Sequence, residues 1–244
     1  MTLAKLIKNS IGGGVVLISL SIASGVQAVN VTVPGTSDAW LAGMPNGSTA
    51  SFGDVAPAQS PVQVLGLSLI SGQTLNFSAS GGVSNDPSFF LDGPDGGSFL
   101  GHLTGSENGI SDIIAPINAL IGVFLDNSQP DSTPAPAPLD FSAIGLNFSS
   151  LAPQLKQVFF IGDGLTGTNS GAVQNFIVPT NATRLFLGTM DGYDWYNNIG
   201  SFDVRVEQVN TVPEPSTILG LGLLGFGAFF NRQLSQGKKS KQED

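Results

Sequence analysis

Residues 185–206, LFLGTMDGYDWYNNIGSFDVRV, contain two strand-like segments on either side of a polar loop. Leu185–Leu187 is apolar, and Phe202–Val206 alternates apolar with charged residues, which is typical of a strand with one buried face. The loop between them is rich in oxygen-bearing side chains: Asp191, Asp194, Asn197 and Asn198. We interpret the rest of the domain outward from these two strands and their loop.

Two chemistries fit the loop. Carboxylate and amide oxygens are the ligands that Ca²⁺ prefers, so these side chains predict a calcium site. Asp, Asn and Gly also form ordinary turns, because they tolerate left-handed backbone and bond to their own main chain. The loop aromatics Tyr193, Trp195 and Tyr196 could form an apolar wall for a sugar ring or pack in the core. Trp195 and Tyr196 are adjacent, so in extended backbone at most one of them faces inward.

Residues 29–210 predict one all-β domain outside the cytoplasm. Val29–Val33 is a short strand, and alternation over residues 62–79, around a turn at 71–73, predicts a β-hairpin. The wholly apolar Ala119–Leu125 predicts a strand buried on both faces. A total of about eight strands with almost no helical periodicity favours a β-sandwich, galactose-binding or jelly-roll-like in type.

Residues 126–140 interrupt this pattern with four prolines. Proline lacks a backbone donor and has a fixed φ, so the segment can be neither a helix nor a central strand. We expect an extended insertion on the surface.

Charge and composition narrow the function. Residues 29–212 hold three cationic side chains against fifteen acidic ones, a formal charge of −12, which argues against nucleic acid as a partner. The chain has no Cys and one His, His102, so nucleophilic catalysis would depend on that single base. No Gly-x-Ser-x-Gly elbow is present, and one His gives too few ligands for catalytic zinc. We therefore expect no enzyme.

The N-terminus predicts export. Lys5 and Lys8 precede an apolar run, Ile11–Ala23, and Val26-Gln27-Ala28 has the short side chains that signal peptidase requires. Residues 1–28 are therefore predicted to be a signal peptide. The alternative is a first membrane anchor, but the run is short for a span of ~20 residues.

The C-terminus has three parts within residues 211–241. A Pro-rich motif at 213–216 precedes an apolar, Gly-rich segment at 217–230 and a basic tail at 231–241. The apolar segment predicts a single transmembrane helix, although it is short of the ~17–25 residues usual for a span. The basic residues place the tail in the cytoplasm. They are Arg232, Lys238, Lys239 and Lys241.

This arrangement resembles the PEP-CTERM sorting signal, whose motif here is Pro213, Glu214 and Pro215. The resemblance implies recognition by an exosortase, cleavage near the motif, and sorting from the inner membrane to the cell surface or extracellular matrix of a Gram-negative bacterium. A plain tail anchor is the alternative.

Residues 61–207 resemble, more loosely, the calcium-dependent galactose-binding lectins of the PA-IL type. The match lies in the order of Asp191, Trp195, Asn197-Asn198 and Gly200-Ser201-Phe202. It implies that the four polar loop residues ligate Ca²⁺ together with a backbone carbonyl near Asn85, and that the ion holds a sugar.

The sequence therefore predicts an exported surface or matrix protein that binds a cell-surface or exopolysaccharide glycan with Ca²⁺. Its partners would be signal peptidase and exosortase during processing, and the membrane before cleavage. The alternative is a purely structural matrix protein with at most a structural calcium.

Overall fold

The computed structural model describes residues 27–57 and 61–209, and the regular secondary structure of this part of the chain is mostly β-strand, which confirms the predicted all-β class. Most of the predicted signal peptide and the whole of the predicted sorting segment lie outside the described residues. Within the described ranges, no helix has the length and apolar character that crossing a membrane requires.

Fourteen strands occur in the described ranges, and we number them in chain order. They are β1 Ala28–Pro34, β2 Val62–Gln63, β3 Thr74–Ser84, β4 Phe99–Gly101, β5 Ile113–Pro116, β6 Leu120–Leu125, β7 Leu139–Asp140, β8 Ser150–Leu151, β9 Val158–Phe160, β10 Leu165–Gly167, β11 Ser170–Val173, β12 Asn175–Ile177, β13 Arg184–Thr189 and β14 Ile199–Val209. The single α-helix of this part of the chain, α1, spans Phe141–Ile144. Short 3-10 turns form at Ala39–Leu41, Ser51–Gly53, Pro130–Ser132 and Trp195–Asn197.

Two sheets dominate the fold. The five-stranded sheet has the order β1-β14-β3-β12-β8, and the four-stranded sheet has the order β2-β13-β6-β9. Smaller sheets are formed by β4-β5-β7 and by β10-β11. Strand β14 pairs antiparallel with β3 along its whole length and with β1 on its other side. It therefore connects these two strands within the larger sheet.

The two main sheets share one hydrophobic core. The ring of Phe159 on β9 lies 5.7 Å from that of Phe176 on β12, and so connects the two sheets. On either side, Phe159 stacks on Phe124 of β6 at 5.2 Å, and Phe176 meets Phe77 of β3 edge-on at 4.9 Å. Such offset and edge-to-face pairs stabilise a core beyond the area that they bury.

Two periodicity predictions are confirmed. Every residue of β6 is buried, as expected for a strand that is apolar throughout. In β14, Phe202, Val204 and Val206 are buried while Asp203 and Arg205 are exposed.

The predicted hairpin over residues 62–79 is wrong. A turn does form there, with the Gln73 N–H bonded to the Ile70 carbonyl at 2.9 Å, but β2 pairs with β13 and β3 pairs with β14. The chain therefore arches from one sheet to the other. Alternation identifies which face of a strand is buried and carries no information on its partner. The polar loop likewise connects β13 and β14, which lie in different sheets.

The Pro-rich segment 126–140 runs mostly over the surface. The Lys156 ammonium holds it by hydrogen bonds to the carbonyls of Pro130, Thr133 and Pro134 at 3.2, 2.9 and 2.7 Å. Its last two residues form β7, which pairs in parallel with β5 at the edge of the small three-stranded sheet.

Candidate functional site

Four segments meet at one end of the domain because of the strand register. Ser84, the last residue of β3, is paired with Ile199, the first of β14, and Pro34 at the end of β1 is paired with Ser201. At the start of β6, Leu120 is paired with Thr189 at the end of β13. The loops that continue from these pairs, near residues 35–56, 85–92, 117–118 and 190–198, therefore lie together.

A pocket of about 250 Å³ opens between three of these loops, those near residues 85–92, 117–118 and 190–198, and the segment around residues 100–103. Its walls include four of the five predicted oxygen ligands together with apolar side chains and Tyr193. The predicted ligands in the lining are Asn85, Asp191, Asp194 and Asn197; Asp86, Leu100, Leu103 and Ile117 also contribute. Residues more than a hundred positions apart in sequence thus share one concave, oxygen-rich surface.

Asp191 lies at the inner edge of the pocket and is 5% exposed. Burial raises its pKa to about 6, partly offset by the neighbouring Asn198 side chain and the N–H groups of Gly192 and Tyr193, while the charge of Asp54 raises it further. The Gly192 N–H donates to Oδ1 at 2.6 Å. At pH 7 the carboxyl is therefore mainly ionised and able to bind a cation.

Asp194 and Asn197 present their side chains to the pocket without a hydrogen bond to any described residue. Asp194 has left-handed backbone, with φ 62° and ψ 53°, and stands directly before the 3-10 turn Trp195–Asn197. Asp tolerates this conformation better than most residues. Both residues of this turn region line the pocket.

Asn198 and Asn85 occupy different surroundings. Asn198 is 5% exposed and donates from Nδ2 to the Gly35 carbonyl at 3.1 Å, while its Oδ1 has no hydrogen-bond partner in the described structure. It thus faces inward and does not line the pocket. Asn85 does line the pocket, and its Oδ1 accepts from Asn118 Nδ2 at 3.3 Å.

Of the three aromatic residues predicted to bind the ligand, one is buried in the core and two are exposed. Trp195 is fully buried, its Nε1–H donates to the Thr189 carbonyl at 3.0 Å, and its ring lies 5.4 Å from that of Trp40. It is a core residue and cannot stack on a sugar at the surface. Tyr193 and Tyr196 are exposed, and Tyr193 contacts the exposed ring of Phe52 at 4.7 Å.

Sequence reasoning missed two acids of this end, Asp38 and Asp54, both with no exposed surface. Asp38 Oδ1 accepts the Trp40 N–H at 2.9 Å, and Asp54 Oδ2 accepts the Trp195 N–H at 2.9 Å. Burial raises the pKa of Asp38 well above its usual range, and repulsion from Asp54, Glu107 and Asp191 adds to the rise. Both acids fall in a segment without periodicity; the turn sequence Ser37-Asp38-Ala39-Trp40 is the one signal that could have identified Asp38.

His102 is also buried at this end and is stacked on Trp40 at 3.8 Å between ring centroids. Its Nε2 lies 3.1 Å from Ser51 Oγ, and its Nδ1 lies 2.5 Å from the Gly105 carbonyl. Glu107 Oε2 accepts from the same Ser51 hydroxyl at 3.2 Å. The acid therefore contacts the serine rather than the far nitrogen of the imidazole, unlike the acid of a catalytic triad.

The donor chemistry of the pocket suits Ca²⁺, because the polar side chains that line it are, apart from Tyr193, carboxylates and amides. The unpartnered, buried Oδ1 of Asn198 is a further acceptor of the kind that a cation satisfies. In the described ranges no three or more Asp, Glu or His side chains form a ready group around a metal. Amide and carbonyl oxygens would therefore have to complete any coordination shell.

The fold and site define an all-β domain with an acidic, oxygen-rich pocket formed by loops at one end. Beyond this domain, residues 211–233 match the PEP-CTERM protein-sorting motif. The match supports the predicted processing by an exosortase and the export of the protein to the outside of the cell. A comparison with curated proteins gave no match.

Proposed function

We propose that this protein is sorted by an exosortase to the surface or extracellular matrix of a Gram-negative bacterium, where its domain binds carbohydrate with the help of Ca²⁺. The pocket carries this proposal: it combines Asn85, Asp191, Asp194 and Asn197 with the exposed ring of Tyr193. The domain is of the lectin-like sandwich type, and a glycan of the cell surface or an exopolysaccharide is its ligand.

The pocket residues have two roles in the proposed binding of a sugar: some hold the cation and the hydroxyl groups, and others contact the ring. Asp191, Asp194 and Asn197 supply oxygens to the cation and accept hydrogen bonds from hydroxyl groups. When bound, Ca²⁺ supplies a positive centre for two neighbouring hydroxyls. Tyr193 and Phe52 offer an apolar face at the rim, where a pyranose ring can lie flat.

We further propose that the domain is a binding module without catalytic activity. The support is the geometry around His102, whose Nδ1 is engaged by the Gly105 carbonyl, while Ser51 lies 93% buried. A nucleophile needs access to its substrate and a base that is oriented by a third group.

Calorimetric titration of the purified protein tests the proposal. After treatment with a chelator, the protein is titrated with Ca²⁺ and then with galactose, and the series is repeated for Asp194→Ala/Asn197→Ala. We expect heat from sugar only after Ca²⁺ addition, and none in the double variant. The matched control, Asp203→Asn, removes one acidic charge from the sheet surface and should behave as wild type.

The other outcomes are equally informative. Uptake of Ca²⁺ without any response to galactose, mannose or an acidic exopolysaccharide would leave a structural matrix protein. If the protein binds neither Ca²⁺ nor sugar, the polar residues of the loop serve only to form a turn.

A further inference from the structure

Behind the pocket lies an inner group of three buried acids that reach it from separate segments. Asp38 and Asp54 follow β1 in the chain, and Asp191 follows β13. Asp38 and Asp54 have no exposed surface, and Asp191 is 5% exposed. Asp38 forms a β-bridge with Thr189, two residues before Asp191. Asp54 accepts the Trp195 N–H from the same loop. Burial of several like charges is unfavourable unless something compensates them.

No side-chain cation of the described residues pairs with Asp38 or Asp191. The described ranges contain three lysines and arginines, and each is bonded elsewhere. Lys156 holds the Pro-rich segment, Arg184 donates to the carbonyls of Asp126 and Ser128, and Arg205 pairs with Glu207.

Two oxygens in this group point to a ligand. Asp38 Oδ2 and Asn198 Oδ1 are both buried and have no hydrogen-bond partner in the described structure. The Asn198 amide lies beside the Asp191 carboxylate, and its Nδ2 donates to the Gly35 carbonyl. Protonation of the acids would remove their charge, but the amide oxygen would still need a donor or a cation.

We infer that a divalent cation binds on the inner side of the 190–198 loop, held by the carboxylates of Asp38 and Asp191 and the amide oxygen of Asn198. The ligands are all oxygens, which favours Ca²⁺ over zinc or copper. Because no three acids form a ready group, the shell combines carboxylate with amide oxygens, as the flexible coordination of Ca²⁺ allows.

The inner site fastens the polar loop to the segment after β1. Asp38 and Asn198 are absent from the lining of the pocket, whereas Asp194 and Asn197 belong to it. Asp191 is the one residue that the inner site shares with the pocket, so only at this residue does the inference rest on the proposed function. The inner cation can bind in the absence of a sugar.

The two tryptophans of the chain provide a local probe, because both are bonded to acids of the group. The Trp40 N–H donates to Asp38, and the Trp195 N–H donates to Asp54. Tb³⁺, which substitutes for Ca²⁺ at oxygen sites, should show emission sensitised by tryptophan, and Ca²⁺ should displace it. Calorimetry with Ca²⁺ alone and the thermal midpoint with and without Ca²⁺ complete the measurements.

We expect Asp38→Asn to weaken Ca²⁺ binding at least tenfold, to abolish the Ca²⁺-dependent rise in the thermal midpoint and to lose the sensitised Tb³⁺ emission. The charge control Asp203→Asn should retain all three, whereas Asp194→Asn/Asn197→Ala should lose the pocket cation and keep the Ca²⁺-dependent rise in the thermal midpoint and the sensitised Tb³⁺ emission of the inner site. Should Asp38→Asn not fold, Asn198→Ser removes the unpartnered oxygen and should give the same losses.

Ca²⁺ binding in Asp38→Asn and Asn198→Ser equal to that of Asp203→Asn would overturn the inner site and leave the pocket proposal intact. Absence of Ca²⁺ uptake by the wild-type protein would also overturn it. Conversely, a wild-type protein that binds Ca²⁺ through Asp38 but ignores every sugar would disprove the proposed function and keep the inner site.

Discussion

Two buried aspartates at loop positions, Asp163 and Asp191, show how the same residue serves different chemistry. Asp163 is 6% exposed, and its two oxygens accept backbone N–H groups of its own loop, from Leu165 at 2.8 Å and Asn169 at 2.6 Å. Asp191 is equally buried, but it lies beside other acids and an amide oxygen that has no partner. The first carboxylate closes a turn; the second belongs to an environment that favours a cation.

The comparison bears on the choice between turn chemistry and a cation site, which the loop composition left open. Turn chemistry consumes carboxylate oxygens within the loop, as it does at Asp163. In the 190–198 loop the pocket-facing side chains of Asp194 and Asn197 make no hydrogen bond to a described residue. Four predictions test whether this difference is real.

The largest effect is expected from Trp195, the core anchor of the polar loop. Trp195→Ala should lower the free energy of unfolding by about 3–5 kcal/mol, because it leaves a large cavity. Its exposed neighbour Tyr196 serves as the control, and Tyr196→Ala should change the free energy of unfolding by less than about 0.5 kcal/mol. Urea unfolding measures both, and equal losses would contradict the inward position of Trp195.

The next effect concerns pH. Folding raises the Asp191 pKa to about 6, above its unfolded value, so between these two values the native state binds more protons than the unfolded state. Stability without Ca²⁺ should therefore fall as pH rises from 4 to 7, by roughly 2 kcal/mol from Asp191 alone. The raised pKa of Asp38 acts in the same direction, and Asp54 and Asn198 are the groups that face Asp191.

Denaturant unfolding in the presence of a chelator, at several pH values, measures this slope. Asp191→Asn should flatten it, Asp163→Ala should retain it, and saturating Ca²⁺ should remove much of the loss at pH 7. A stability that rises over this pH range would refute the electrostatic account of the loop.

Asp163→Ala should cost about 2 kcal/mol of stability, because two backbone N–H groups lose a charged acceptor. Ca²⁺ affinity should remain that of the wild type. Calorimetry and urea unfolding of the same preparation check both halves; a fall in Ca²⁺ affinity would mean that the two aspartates do not differ in role.

The smallest effect is expected at the pocket rim. Tyr193→Ala removes an exposed ring, so its stability should change by less than about 0.5 kcal/mol. Its affinity for sugar should fall by roughly 2- to 13-fold, the equivalent of about 0.5–1.5 kcal/mol for one aromatic contact. Tyr196 does not line the pocket, and Tyr196→Ala should bind sugar as the wild type does.

Local patterns predicted the strands better than their partners. The alternation in Phe202–Val206 and the apolar run at β6 were sufficient to predict burial, because a strand's faces depend on its own residues. Pairing depends on distant segments, which is why β2 and β3 were joined wrongly into a hairpin.

For the candidate site too, the sequence predicted the residues of one local segment better than those brought to it from distant segments. The composition of the 190–198 loop identified Asp191, Asp194 and Asn197, which line the pocket, and also Asn198, which does not. A resemblance indicated a backbone carbonyl near Asn85, a residue that is part of the lining. Asp38 and Asp54 gave little signal, because only the register of β1 against β14 brings their segment to this end. The inward turn of Trp195 follows from the 3-10 turn that begins at that residue, which alternation cannot reveal.

Strand β14 also determines which way the domain faces. Its first residue adjoins the pocket, and its last, Val209, lies two positions before the matched sorting motif. Eleven residues at about 3.3 Å each separate the two by roughly 36 Å. Ala28 is paired with Glu207 at that same far end, so the described chain enters and leaves the domain there. The pocket therefore lies at the opposite end of the domain from the strand end that leads to the matched sorting motif.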